Sequence, residues 1–330
     1  MKIYKKLAIL LTVFTLGLTL SACDMDSEQP VQFAAGDWAS ILIHNEIAMY
    51  IVEQGYGVEA EQTITATPVQ IENLRNGSFH VNLEMWKANL ATYDEDTEQG
   101  YYHQVSVNFE DPGQGIWIPQ YLQDSHEIYT LQDLIEHKDL FLHPETNDPD
   151  KGLIYGGPEG WAATDFLVTK FSNEEAYGDF VDNFEFIPMG STATLNTALQ
   201  NAYDNEEPWA GYHWAPTWPH AVMDLVYLPD EVDYDPDVHE EEALGDLPAG
   251  NVTVVVTDSF EEDYPEIYEF ISNYATSTEL TSEMILQMVE NEDWEEYDVA
   301  IWFLQNYEDV WSEWVPEDVA QRVNDALENE

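Results

Sequence analysis

Short apolar, strand-like runs alternate with helical periodicity along most of this chain, and that alternation restricts its fold more than any other feature. Residues 31–34, 60–66, 79–85, 152–155, 209–214 and 251–257 read as strands, the last of them strongly β-branched. Residues 39–54, 68–75, 161–171 and 192–203 read as helices. The first of these carries Ile41, Ile47, Ala48 and Ile51 on one side and is expected to stop at Gly55. Pro68 suits the first turn of the second. From residue 264 onward the pattern is mainly helical. Strands that alternate with helices predict an α/β architecture with mostly parallel sheets. No internal repeat is visible, and the length allows two domains with proper cores.

The first 22 residues stand apart from this pattern. Residues 1–6 carry three lysines, residues 7–20 are largely apolar, and Leu20-Ser21-Ala22-Cys23 follows. A basic start, a short apolar core and small residues before a cleavage point describe an export signal. The Leu-Ser-Ala-Cys sequence resembles the bacterial lipobox, in which the cysteine is lipidated and anchors the mature protein outside the membrane. Cys23 is the single cysteine, so no internal disulfide and no multi-cysteine metal site is expected. Residues 23–30 read as a polar tether.

Acidity excludes whole classes of function. The chain has 66 acidic and 9 basic residues, a formal charge of −57. Nucleic acid is not an expected partner, because phosphate contacts need basic patches. Disorder is not expected either, since 44% hydrophobic and 13% aromatic content can build a core. What remains is an acidic, solvated surface whose self-repulsion needs counter-ions, which points to a salty or alkaline habitat. Residues 230–246 read as an acidic solvated loop. Their Asp233-x-Asp235-x-Asp237 spacing resembles a calcium loop, but Val238 occupies the glycine position. No Gly-x-Ser-x-Gly elbow, His-Glu-x-x-His helix or phosphate-binding loop occurs, and the nine histidines show no metal-ligand spacing. An enzyme, a metal site and a cofactor are therefore not expected.

Eleven tryptophans is a high count. Trp294, Trp302, Trp311 and Trp314 fall in the helical C-terminal part and are expected in the core. Trp38, Trp86, Trp161 and Trp214 instead fall where strands or turns end. In open α/β sheets, ligands bind beyond the carboxyl ends of strands. Indole faces attract a cation through the ring quadrupole, each contact giving on the order of 0.5–2 kcal/mol. Several together suit a bulky quaternary ammonium group that has no N–H to donate. Aromatic faces also stack on sugars, so an uncharged solute is the competing ligand class.

Four segments occur in a telling order: Asn82-Leu83-Glu84-Met85-Trp86, Gly115-Ile116-Trp117-Ile118-Pro119-Gln120-Tyr121, Gly157-Pro158-Glu159-Gly160-Trp161, and Tyr212-His213-Trp214-Ala215-Pro216-Thr217-Trp218, with Asp224-Leu225-Val226-Tyr227-Leu228 following. Together they resemble the glycine betaine/choline-binding proteins of ABC transporters over almost all of the mature chain. The resemblance implies a two-lobed, periplasmic-binding-protein-like fold of type II, with ligand in the cleft and a membrane permease as partner. It places lobe I at residues 31–118 plus 229–330 and lobe II at 119–228. It implies that Trp86, Trp161 and Trp214 box the ammonium group, with Trp38 and Tyr121 as further aromatic walls. It assigns the N–H groups of Ala162 and Ala163 to a ligand carboxylate. The pattern departs from the family at the polar end. Leu90 stands where some betaine binders have a histidine, and Ser40 where choline binders have an acid. Asp37, Ser40 and Asn89 are the remaining candidates there, and choline or carnitine stays open beside glycine betaine.

Overall fold

The computed structural model describes residues 29–330, apart from 111–112, 239–240, 249 and 292. The export signal, Cys23 and most of the tether lie outside these. Among the described residues, no helix is long and apolar enough to cross a membrane.

Two five-stranded sheets organise the chain. The first has the order β2-β1-β3-β10-β4, built from β1 (Val31–Ala35), β2 (Ala60–Ile64), β3 (Val81–Met85), β4 (Tyr102–Phe109) and β10 (Val252–Thr257). The second has the order β7-β6-β8-β5-β9, from β5 (Gln114–Pro119), β6 (Gly152–Pro158), β7 (Phe184–Met189), β8 (Gly211–Trp214) and β9 (Leu225–Tyr227). β10 reads Val-Thr-Val-Val-Val-Thr and is buried throughout. β-Branched side chains pack well on a pleated surface, and a continuous run of them fits a strand covered on both faces.

The sheets are mixed, which corrects the expectation of mostly parallel pairing. β1 pairs in parallel with β2 and β3, and β6 with β7 and β8. β10 is antiparallel to both β3 and β4, and β5 is antiparallel to both β8 and β9. The reversed strands are the two that follow a crossing between lobes. The chain passes to the second lobe between β4 and β5 and returns just before β10. The expected boundaries at 118 and 228 therefore shift. β5 hydrogen-bonds within the second sheet, and Ala243 and Leu247 pack into the second lobe's apolar core.

The first lobe's core packs the helix Ala39–Tyr50 against β1, β3 and the C-terminal helices, notably Glu296–Asn306. Trp311 and Trp314 are buried there, while Trp294 and Trp302 lie at its margin. The first helix does not stop at Gly55. It continues through a wider turn over Ile51–Tyr56 and is capped by Gly57, whose φ of 73° is left-handed. Val319 of the helix Glu317–Leu327 packs tightly against Gly55.

The acidic loop at 230–246 is not simply solvated. Lys170, in the helix Ala162–Lys170, forms a buried ion pair with Asp230 and donates to the Gly245 carbonyl at 2.8 Å. Asp230 also accepts from Tyr177 Oη (2.9 Å) and Gln132 Nε2 (2.7 Å). Burial alone would raise the Asp230 carboxyl, but the Lys170 ammonium, the Val232 N–H and the Gln132 amide hold it below its usual range. The loop's ends are thus fixed to the second lobe while Asp233 and Asp237 at its middle stay exposed.

Candidate functional site

Four strand ends converge between the lobes. β1 runs into Gly36-Asp37-Trp38, and Trp38 adopts extended backbone just before the helix Ala39–Tyr50. β3 ends at Met85 and delivers Trp86. From the second lobe, β6 leads through Pro158 to Trp161, which precedes the helix Ala162–Lys170, and β8 ends at Trp214. These residues line a common cavity between the lobes.

The rings meet as walls. Trp38 and Trp161, from opposite lobes, have centroids 4.9 Å apart and planes at 75°. Trp161 and Trp214 are 5.0 Å apart, again at 75°. Edge-to-face contact is a favoured aromatic geometry, and here it turns consecutive indole faces around a common space. Tyr212, two residues before Trp214 and so on the same face of β8, stacks on it at 5.8 Å and 21°. Trp38 and Trp161 are 9% exposed and Trp214 is 2% exposed, so these rings are largely removed from water.

Trp38 depends on its neighbour. A Cβ at position 36 would lie 1.6 Å from Trp38 Cζ3, so the ring covers a backbone that only glycine permits. Gly36→Ala is expected to displace Trp38 and weaken ligand binding about tenfold or more, while a circular dichroism melt stays close to wild type. Unchanged affinity would show that Trp38 is not needed in this position.

A polar network supports the cavity on the first-lobe side. Gln70 donates to the carbonyls of Ala35 (3.0 Å) and Thr65 (2.8 Å) and accepts from Asn82 Nδ2 (3.1 Å). Asn82 Oδ1 accepts from the Glu84 N–H (2.9 Å), and Glu84 Oε2 accepts from the Trp38 indole N–H at 2.7 Å. Gln70, Asn82 and Glu84 all line the cavity. Glu84 is 2% exposed, and burial pushes its carboxyl up to about 7 despite the indole hydrogen bond. Behind it lies His44, which burial holds near 3 and therefore neutral.

Of the residues expected at the site, Trp38, Trp86, Trp161, Ala162, Ala163, Trp214 and Asn89 line the cavity. Ala162 and Ala163 begin a helix, so its unsatisfied N–H end forms part of the wall. Asn89 is already committed. Its amide exchanges two hydrogen bonds with Gln114 (3.1 and 2.8 Å), which also donates to the Pro248 carbonyl at 3.2 Å. The pair thereby ties together both crossings between the lobes.

Tyr121 is not a wall of the cavity. Its hydroxyl donates to the carbonyls of Glu207 (2.7 Å) and Ala202 (3.3 Å), and its ring packs on Tyr203. Asp37 also lies outside the lining and accepts from the Thr192 N–H at 3.2 Å, joining the first lobe to the helix Thr192–Asp204 of the second. Ser40 is buried beside Glu84 rather than in the cavity wall. The residues that sequence reasoning missed are Tyr212, Gln70, Asn82 and Glu84. Tyr212 had a signal, because residues two apart on a strand share a face.

Comparison with known proteins places this geometry in a family. Residues 29–306 match the family described as the substrate binding domain of ABC-type glycine betaine transport systems. The glycine betaine/carnitine transport binding protein GbuC of Listeria monocytogenes is 27% identical over 133 residues, and that match spans 40% of each chain. An ABC-transporter choline binding protein solved with choline superposes with a TM-score of 0.73 at 19% identity, over 90% of this chain and 98% of that one. The glycine betaine/L-proline-binding protein ProX from Borrelia burgdorferi gives 0.70 at 18%, over 89% and 100%. Lactococcal OpuAC, closed on glycine betaine, gives 0.66 at 16%, over 87% and 100%. What these structures share with the chain is the fold, two lobes with mixed sheets and flanking helices, as in type II binding proteins. The chain belongs to the family of substrate-binding domains of ABC-type glycine betaine transport systems, which are solute binders and not enzymes.

Proposed function

We propose that the protein is the extracytoplasmic receptor of an ABC importer and captures a quaternary ammonium osmolyte between its lobes. The observation that carries this reading is the set of edge-to-face indoles from both lobes around one cavity. Such a cage supplies both the quadrupole attraction and the apolar surface that a trimethylammonium group needs. Trp38 and Trp86 come from the first lobe, Trp161 and Trp214 from the second, and Tyr212 extends the wall behind Trp214. A ligand carboxylate, as in glycine betaine, fits the N–H end of the helix that starts at Ala162. Ligand that bridges the lobes favours the closed arrangement, which a membrane permease then recognises. Cys23, in its lipobox-like setting, would hold the receptor at the outer face of the membrane.

Choline is the second reading, favoured by the buried acid Glu84 in the cavity wall. Calorimetric titration of the mature protein with glycine betaine, choline, carnitine and a panel of sugars separates the possibilities. Saturable binding is expected for at least one quaternary ammonium compound and for no sugar. Absence of heat with every quaternary compound would remove the reading.

A further inference from the structure

The cage holds a group that cation–π attraction does not require. Glu84 sits in β3 and lines the cavity, yet among the described residues no lysine or arginine lines that cavity with it. Among the described residues, the one basic side chain within ion-pair distance is His44, whose Nε2 lies 3.9 Å from Glu84 Oε1. His44 cannot balance the charge. It is fully buried and held neutral, its Nδ1 shares a hydrogen bond with Tyr274 Oη at 2.8 Å, and Thr281 Oγ1 lies 3.3 Å from its Nε2. Tyr274 is fully buried, with its phenol pushed well above its ordinary range, and so is neutral too. Glu84 Oε2 accepts from the Trp38 indole N–H at 2.7 Å, and the further donors beside the carboxylate, Ser40 and Trp86, are neutral as well.

An ionised carboxylate buried without a cation is costly, and it either takes a proton or acquires a counter-charge. We propose that Glu84 is the specificity-determining counter-charge of the cage, pairing with the ammonium group of the ligand across the cavity wall. The inference rests on the reading of the cavity as a quaternary ammonium site and adds a fixed negative partner to it. It has a consequence that indoles alone do not produce. In the empty protein the raised Glu84 carboxyl is partly protonated near neutral pH. A bound cation favours the ionised form, so binding releases a proton from Glu84 to the buffer. Affinity for a cation therefore rises with pH through about 7.

Choline, as a net cation without a carboxylate, is the primary probe, with glycine betaine beside it. Wild-type affinity for choline is expected to rise about tenfold from pH 6 to pH 8, with proton release visible as a dependence of the binding heat on buffer ionisation enthalpy. Glu84→Gln keeps an oxygen to accept from Trp38 but removes the charge. It should bind choline at least tenfold more weakly at pH 8, lose the pH dependence and release no proton. Glu84→Ala should match Glu84→Gln in choline affinity if charge is what matters; a purely positioning role for Trp38 would leave Glu84→Gln near wild type. A Glu84→Gln protein that melts like wild type and binds choline as tightly, or a wild-type affinity flat from pH 6 to 8, overturns the counter-charge while leaving the receptor reading intact. A wild-type protein that binds none of choline, glycine betaine and carnitine overturns both.

Discussion

Trp161→Ala should weaken binding of a quaternary ammonium ligand by about tenfold to a hundredfold. Trp161 is the corner of the cage, in edge-to-face contact with Trp38 on one side and Trp214 on the other. A desolvated cation–π contact is worth about 2 kcal/mol, and each 1.4 kcal/mol is about a factor of ten in affinity. Removing the ring also removes the support that keeps its two neighbours upright, so the loss exceeds one contact. It also breaks the aromatic seam between the lobes, which ligand closure relies on. Titration of the variant, with its melting temperature as a check on folding, measures the effect. Tyr121→Phe is the matched control. Its ring packs on Tyr203 and its hydroxyl serves the Glu207 carbonyl, so affinity should not change. Equal affinity in Trp161→Ala and wild type would take Trp161 out of the cage.

The second large effect concerns stability. Lys170→Met should destabilise the protein by about 3–5 kcal/mol, the usual consequence of leaving one partner of a buried ion pair without the other. Lys170 does three things at once. It neutralises Asp230, donates to the Gly245 carbonyl and lies over the Tyr177 ring at 5.1 Å. Without it, Asp230 keeps its carboxylate in a buried place on a chain with a formal charge of −57. The double variant Lys170→Met, Asp230→Asn should recover much of the loss, since the uncompensated charge goes with the second substitution. Urea unfolding of the two variants and wild type measures this. A single variant as stable as wild type would mean that the loop at 230–246 holds its place without the pair.

The misreading of that loop shows where composition stops being informative. Its acids look solvated because charge runs usually are, and nothing local reveals that Lys170, far away in sequence, buries one of them. Glu84 was hidden for a related reason. In Val-Asn-Leu-Glu-Met the alternation reads as an apolar face and a solvent face. Asn82 instead bonds to Gln70 of the helix Thr67–Arg75, and Glu84 lies against Trp38, Ser40 and His44, so the two became the cavity's polar support. The tryptophans were legible because each one ends a strand or follows closely on its end, and strand ends are where open sheets present ligand sites. Tyr121 lacked that support and belongs to a surface helix, Gln120–His126. The lobe boundary fell in the wrong place because β5 lacks the β-branched run that marks β10. Its pairing with β8 is decided by strands nearly a hundred residues further on.

The position of β10 has a consequence for assembly. β3 and β4 lie on either side of it and are not paired with one another. Until β10 arrives, the first sheet is two separate fragments with open edges. β10 follows the entire second lobe, which is one uninterrupted stretch of chain with its own sheet and core. The lobe that emerges first therefore finishes last, and it closes around a partner that can already be folded. Pairing across so long a separation is slow. The unpaired edges of β3 and β4, before that strand returns, are where an assembling chain is open to pairing with another.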